Sequence, residues 1–341
     1  SEALLTLSQK GIFIFDSEAE AVEAAILMHD IGHGPFSHVL EHTLISGISH
    51  ESISLKMMEQ INHDLSGQLA LAINIFKGEY PKQFLHQLIS SQLDMDRLDY
   101  LRRDSFFTGV QEGIIGCARI IKMLNVVDDN LVIDEKGIYP IENYLTSRRS
   151  MYWQVYLHKT VVACEKILIN LLRRAKHLVN SGKEIFAPPA LQYFLHNDIN
   201  HERFMEDEDV LKYYARLDDN DIWSTVKVWM YCDDKIMKML ASNLINRTTF
   251  KVEVYDVQID ENYIHDIRKK LSDKYEISYE DTCYLYSTEK INTNMYDIEN
   301  DNIKIKMKNN VVCDICEASD LLKVALLTQQ KPKYYITYQR L

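Results

Sequence analysis

The stretch Ala24–His42, AAILMHDIGHGPFSHVLEH, places His29, Asp30, His33, His38, Glu41 and His42 directly after a run of small and apolar residues. Imidazoles and carboxylates beside apolar sequence lose hydration on folding, and a metal ion or a fully satisfied polar network is the usual compensation. If the apolar run continues helically, His29 and His33 stand four apart on one face. Gly32, Gly34 and Pro35 end that helix. Pro35 lacks an amide donor and keeps its predecessor out of the α region, so the chain turns between Gly34 and Phe36 and brings His38 back on a second segment. One histidine here would read as a cap or core residue, whereas HDxxH with another His after a Gly-Pro turn reads as a pocket edge lined by imidazoles.

On the upstream side, GIFIFD (Gly11 to Asp16) is short and apolar, and Ser17 to Glu20 offers an N-cap and acidic first turn for the helix that reaches the motif. On the downstream side, Ser49-His50-Glu51-Ser52 opens another helix. Ile53, Met57, Met58 and Ile61 recur there at helical spacing, which puts His50 near its N-terminal end. The second informative stretch is Ser90–Gly109, SSQLDMDRLDYLRRDSFFTG, where Asp94, Asp96, Asp99 and Asp104 alternate with Leu93, Met95, Leu98 and Leu101. Asp99 and Arg103 form an ordinary i,i+4 pair on a solvated face. That pairing explains less well why aspartates crowd around Arg97, Arg102 and Arg103.

The 341 residues suggest about two domains, and 46% hydrophobic with 26% charged residues is globular composition. No apolar run approaches the roughly 18 to 20 residues of a membrane span, so a soluble, cytoplasmic protein is expected. With 38 basic and 50 acidic residues the net charge is −12, which argues against coating nucleic acid by phosphate neutralisation. An anionic substrate needs local cations. The six scattered cysteines fit a reducing compartment, and Cys313-Asp314-Ile315-Cys316 is a lone CxxC that reads as two small apolar residues at a strand end.

Further along, Asn125–Tyr139 alternates around Asp128-Asp129-Asn130 as a small hairpin does. A long helix is predicted over Ile141–Val179, carrying Arg148, Tyr152 and Tyr156, and helices continue to about Asn246. From Phe250 the pattern turns to strands at Lys251–Val257, Thr282–Ser287, Asn302–Lys308 and Tyr334–Tyr338, with helical stretches at Glu261–Tyr275 and Glu317–Leu327. The expected fold class is mainly α. A helical domain over 1–249 is followed by a small α+β C-terminal domain over 250–341, of split-βαβ type, with no visible chemistry.

With HDIGHGPFSH and LDMDRLDYLRRD both on the page, the sequence resembles the HD-domain phosphohydrolases, and within them the deoxynucleoside triphosphate triphosphohydrolases. The resemblance is close over Ala21–Lys159 and loose beyond. It implies a helical HD-domain core with a metal held by His29, Asp30 and Asp96. It further implies that His50 is the catalytic acid, that His33 and His38 line the phosphate side, and that Glu41 is an acidic partner. Arg97, Tyr100 and Asp104, with Arg148 and Tyr156 in RRSMYWQVYLHK, match substrate-contacting positions. The family's first metal-binding His precedes the HD pair, and Ser1–Met28 contains no histidine; it is expected upstream of Ser1.

The chemistry so implied is hydrolysis at the α-phosphorus of a dNTP, releasing nucleoside and triphosphate (EC 3.1.5 type). Mn, Fe, Mg or Zn all suit the mixed N/O donors, and Arg97 offsets phosphate charge. Histidine exchanges protons near neutrality, which suits His50 to protonate the leaving oxygen. Two other readings stand beside this one: an HD phosphatase or phosphodiesterase on another nucleotide, and a nucleotide-binding regulatory protein with a degenerate site. Partners implied by the resemblance are a nucleotide substrate, a nucleotide activator and further copies of the chain in a dimer or tetramer.

Overall fold

The computed structural model describes residues 1–37, 39, 43–291, 302–322 and 332–341. It is mainly helical with small sheets, and it divides into two compact units. The first comprises residues 1–30 and 57–157 with the described part of 293–330; the second comprises 31–56, 158–292 and 331–341, again as far as described.

In the first unit the helix Asp16–Met28 shows how local chemistry sets its bounds. Glu18, 1% exposed, accepts from the amide of Phe15 at 2.9 Å and so starts the helix one residue before the Ser17 cap that the sequence suggests. Burial works to raise its carboxyl, but Lys82 at 2.7 Å, the Tyr80 hydroxyl at 2.6 Å and the Phe15 amide hold it below the usual range. The helix stops at Met28 and does not run on to His33. The reason is local: the His29 ring takes the Ile26 carbonyl, the acceptor that a continuing helix would give to the Asp30 amide. Leu7, Ala25, Leu85, Leu101, Tyr144 and Ile305 are fully buried in the core of this unit.

A four-stranded sheet flanks that core. Leu124–Val127 and Asn130–Asp134 form the expected hairpin, turning through Asp128 and Asp129 at φ 49° and 57°. Lys304–Lys306 then pairs parallel to Asn130–Asp134, with Ile133 opposite Ile305, and Val312–Asp314 completes the sheet. The C-terminal strands therefore do not form one split-βαβ sheet. Two of them join the hairpin, because Ile303, Ile305 and Ile315 are buried in the first unit's core and strands of three residues carry too little pattern to announce a partner.

The long helix predicted over Ile141–Val179 is also interrupted. Ile138–Met151 runs into a π turn at Tyr152–Tyr156, and His158, extended at ψ 136°, caps a new helix, Lys159–Asn180, by accepting from the Thr160 amide. That helix anchors the second unit with Pro189–His196, Asp219–Trp229 and Lys235–Ile245. Buried Arg174 joins it to two neighbours. Its guanidinium donates twice to Asp234, the N-cap of Lys235–Ile245, at 3.1 and 2.6 Å, and once to Asp281 at 2.7 Å.

The second unit's main sheet places Lys333–Tyr338 between antiparallel Lys251–Tyr255 and Tyr286–Ile291. Helix Glu261–Tyr275 lies where the sequence puts it, whereas the strand expected over Thr282–Ser287 begins only at Tyr286, after a 3-10 turn over Asp281–Tyr284. Of the helix predicted over Glu317–Leu327, residues 317–318 and 320–322 are helical, with a break at Ser319, and 323–327 lie outside the described residues. Among the described residues no helix is long and apolar enough to cross a membrane.

Two substitutions test this account. Replacing Arg174 by Met strands two carboxylates, and the expected loss is about 3 to 5 kcal/mol in urea unfolding. Glu253 collects Lys251, Tyr255, Tyr263 and Tyr338 at 2.6 to 2.9 Å; burial alone would raise its pKa, but these partners hold it at about 2 against an ordinary 4.5. The depressed folded value means that its contribution is whole above pH 4.5, shrinks as pH falls and is lost through pH 2. Glu253→Gln should therefore cost on the order of 2 kcal/mol near neutrality, and the gap from wild type should narrow in unfolding curves taken between pH 5 and 3.

Candidate active site

Three ligand-type side chains meet in the first unit. His29 is the C-cap of helix Asp16–Met28, Asp30 follows it, and Asp96 lies in the first turn of helix Met95–Thr108. His29 Nε2 is 3.3 Å from Asp30 Oδ2 and 3.7 Å from Asp96 Oδ1, and one potential ligand atom from each residue lies within 4.8 Å of the others. The His29 Nδ1–H donates to the Ile26 carbonyl at 2.7 Å, which leaves Nε2 facing the carboxylates. The nearby Asp96 carboxylate lifts the imidazole to about 9; burial opposes it, and the Asp30 charge and Ile26 carbonyl add to it. One imidazole nitrogen with its other nitrogen already committed, beside two carboxylates, is a donor set that fits a divalent cation, which takes the place of the proton held at Nε2.

Helix Met95–Thr108 begins where it does because Asp94 caps it. The buried Asp94 carboxylate accepts from the Arg97 amide at 2.7 Å, the Arg97 Nε at 2.9 Å and the Ser91 amide at 3.1 Å. Burial works against the Arg97 charge, and Asp94 outweighs it, so the guanidinium is held firmly protonated and fixed in direction. Asp96, Tyr100 and Asp104 follow at one-turn spacing. The Tyr156 hydroxyl donates to Asp104 Oδ2 at 2.6 Å, and its ring meets Tyr100 and Tyr152 edge-on at 6.2 and 5.3 Å.

Arg148 lies over the Tyr152 ring at 5.9 Å, and its buried Nη1 has no hydrogen-bond partner among the described residues. Burial pushes the Tyr100, Tyr144 and Tyr156 phenols up, so they remain neutral donors at physiological pH. The first unit thus combines an imidazole and two carboxylates suited to a divalent cation with two guanidinium groups and a set of neutral tyrosines.

The second unit holds His33 and His50, whose rings stack with centroids 3.9 Å apart and planes 17° from parallel. Gly32 makes that approach feasible: a Cβ there would sit 2.2 Å from the His50 carbonyl oxygen and 2.3 Å from the Ser54 nitrogen. Its amide donates to Ser54 Oγ at 2.8 Å and its carbonyl accepts from the Tyr214 hydroxyl at 2.7 Å, so both polar groups of this buried residue are satisfied. His38 and Glu41 lie outside the described residues.

Sequence reasoning gave no site role to Asp94 and Tyr152, which it named, and did not single out Tyr144. The first could have been found from the cap spacing of Asp94 to Arg97. Tyr152 falls between Arg148 and Tyr156 at four-residue intervals. Tyr144, whose hydroxyl donates to the Gln92 carbonyl at 2.7 Å, carries no local signal. Asp99 and Arg103 form the expected exposed pair. Cys316 is a free thiol, and burial, with Asp314 adding to it, pushes it to about 12, far from thiolate chemistry.

Comparison with known proteins bears on the family. Residues 5–104 match the HD domain and 115–186 the HD associated region. A phosphohydrolase of known structure from Bacteroides thetaiotaomicron is 58% identical, with TM-score 0.94, over 100% of this chain and 84% of that one. The uncharacterised YwfO of Bacillus subtilis is 34% identical over 243 residues, covering 69% of this chain and 54% of that protein. A Dictyostelium discoideum protein named as a deoxynucleoside triphosphate triphosphohydrolase SAMHD1 homolog is 27% identical over 201 residues, 54% of this chain and 39% of its own length. The chain spans about half the length of these two curated relatives or less. It belongs to the HD-domain phosphohydrolases, a metal-dependent family.

Asp96→Asn removes one carboxylate at a partly exposed position. The expected result is Mn²⁺ binding weakened by roughly 100-fold in titration calorimetry with the thermal midpoint nearly unchanged; wild-type affinity in this variant would remove Asp96 from the cation site.

Proposed function

We propose that this protein hydrolyses deoxynucleoside triphosphates to deoxynucleoside and triphosphate, with a divalent cation held by His29, Asp30 and Asp96. The observation that carries the reading is the single helix Met95–Thr108, which presents the cation ligand Asp96 together with Arg97, Tyr100 and the Tyr156-bound Asp104. A chain of net charge −12 must supply cations locally to accept a polyphosphate. Arg97, aimed by Asp94, and Arg148, with its unpartnered Nη1, are suited to do so. The Dictyostelium relative named for this activity supports the substrate class.

A bound Mn, Fe, Mg or Zn ion would supply Lewis-acid charge at a phosphoryl oxygen and an activated water, and these donors do not choose among the four. His50 is assigned to protonate the leaving oxygen, with His33 and His38 on the phosphate side and Glu41 as acidic partner. Tyr100 and Tyr156 offer neutral hydroxyls and ring faces to the nucleoside. The same reading includes a cytoplasmic setting, a homo-oligomer and a nucleotide activator.

Incubation of the full chain with Mn²⁺ and each dNTP, resolved by ion exchange, tests this. Nucleoside and intact triphosphate should form, and Asp96→Ala should reduce the rate by roughly 100-fold or more. Orthophosphate or pyrophosphate as product would contradict triphosphate release, and no turnover of any dNTP would favour an HD phosphatase or phosphodiesterase on another nucleotide, or a nucleotide-binding regulatory protein.

A further inference from the structure

In the second unit the loop that carries His33 is held at both ends from helices Glu208–Tyr214 and Asp219–Trp229, which lie beyond the residues matched to the HD domain and its associated region. At one end is the Gly32 peptide. Its amide goes to Ser54, one turn after His50 on helix His50–Asp64, and its carbonyl goes to the Tyr214 hydroxyl. Ser54 and Tyr214 are 0% and 4% exposed, so water does not compete for either bond. The Tyr214 ring is itself fixed, edge-on to the fully buried Phe204 and Phe194 with centroids 5.4 and 6.1 Å away.

At the other end, Phe36 and Ser37 take left-handed φ of 56° and 46°, a region that residues other than glycine rarely enter and that persists where the surroundings over-determine it. Helix Asp219–Trp229 supplies those surroundings. Asp219 Oδ1 accepts from the Phe36 amide at 3.2 Å, and Trp223 meets the Phe36 ring edge-on at 5.5 Å. Between the two anchors, Gly32 and Gly34 flank His33 and leave its backbone little restricted by local sequence. The place of the His33 ring on His50 therefore rests on these tertiary contacts.

We propose that Tyr214 is a positioning residue: by holding the Gly32 carbonyl it sets His33 against His50, while Asp219 and Trp223 fix the far end of the loop. The consequence for turnover rests on the roles given to His33 and His50 under Proposed function.

Proton–carbon spectra of the full chain, isotopically labelled at the histidine Cε1 and free of added divalent cation, test it. Stacked rings shield one another, so the His33 and His50 signals, identified by their loss in His33→Gln and His50→Gln, should each move downfield when the other ring is removed. Tyr214→Phe keeps the ring against Phe194 and Phe204 and removes only the hydroxyl. Both signals should then move downfield, with the thermal midpoint lowered by no more than about 4 °C. Asp219→Ala, at an exposed position, should move them in the same direction, and Asp219→Asn, which keeps an oxygen for the Phe36 amide, should restore them. With dNTP and Mn²⁺, Tyr214→Phe should lower kcat roughly tenfold while changing KM less. Unmoved signals in Tyr214→Phe would overturn the proposal, and so would full kcat in a variant whose signals have moved. Because the histidine signals need no turnover, a wild-type chain inactive on dNTPs would overturn the substrate reading alone.

Discussion

The candidate active site depends on one imidazole whose two nitrogens do different work. His29 Nδ1 holds the Ile26 carbonyl, and by doing so ends helix Asp16–Met28 and leaves Nε2 for the carboxylates. The same hydrogen bond therefore stops a helix and orients a ligand. Glu18 fixes the other end of that helix through Phe15, Tyr80 and Lys82, so the position of the ring is tied to a buried anchor at the far end of the element. Asp96 reaches the cluster by an equivalent route, from a helix whose start Asp94 defines.

The acidity of the chain takes on a meaning in this light. Asp94, Asp207, Asp218, Asp234, Asp260 and Asp314 each cap a helix by accepting backbone amides, where negative charge is favoured by the aligned peptide dipoles. Much of the carboxylate excess is thus structural and local. Asp94 goes further, because it also holds Arg97 in place. A net charge of −12 coexists with locally placed cations because individual carboxylates, as Asp94 does for Arg97, organise individual arginines.

Residue patterns with local causes were legible in the sequence. The HD pair, the DMDRLDY helix, the Asp128-Asp129 turn, helix Glu261–Tyr275 and the mainly α class follow from side-chain type and spacing, and the family from the resemblance that the two motifs carry. What escaped depended on distant partners or on competition between alternatives. Strands Lys304–Lys306 and Val312–Asp314 chose the Asn130–Asp134 hairpin by burial of isoleucines, which no periodicity in three residues could disclose. The helix end at Met28 reflects a side chain outcompeting an amide for one carbonyl. Tyr144 and the unpartnered Nη1 of Arg148 become visible only when packing is known.

The π turn at Tyr152–Tyr156 has a consequence for how this segment can vary. An α-helix advances about 100° per residue, so the extra residue that a π turn absorbs sets the phase of everything after it. Tyr156 meets Asp104 only in the present phase, with the Leu157 amide bonded back to the Tyr152 carbonyl. Point changes on the outer side of the turn leave that phase intact, while loss or gain of a single residue swings the tyrosine away from its carboxylate. The segment is therefore tolerant of altered composition and intolerant of altered length, a form of constraint that residue-by-residue comparison underestimates.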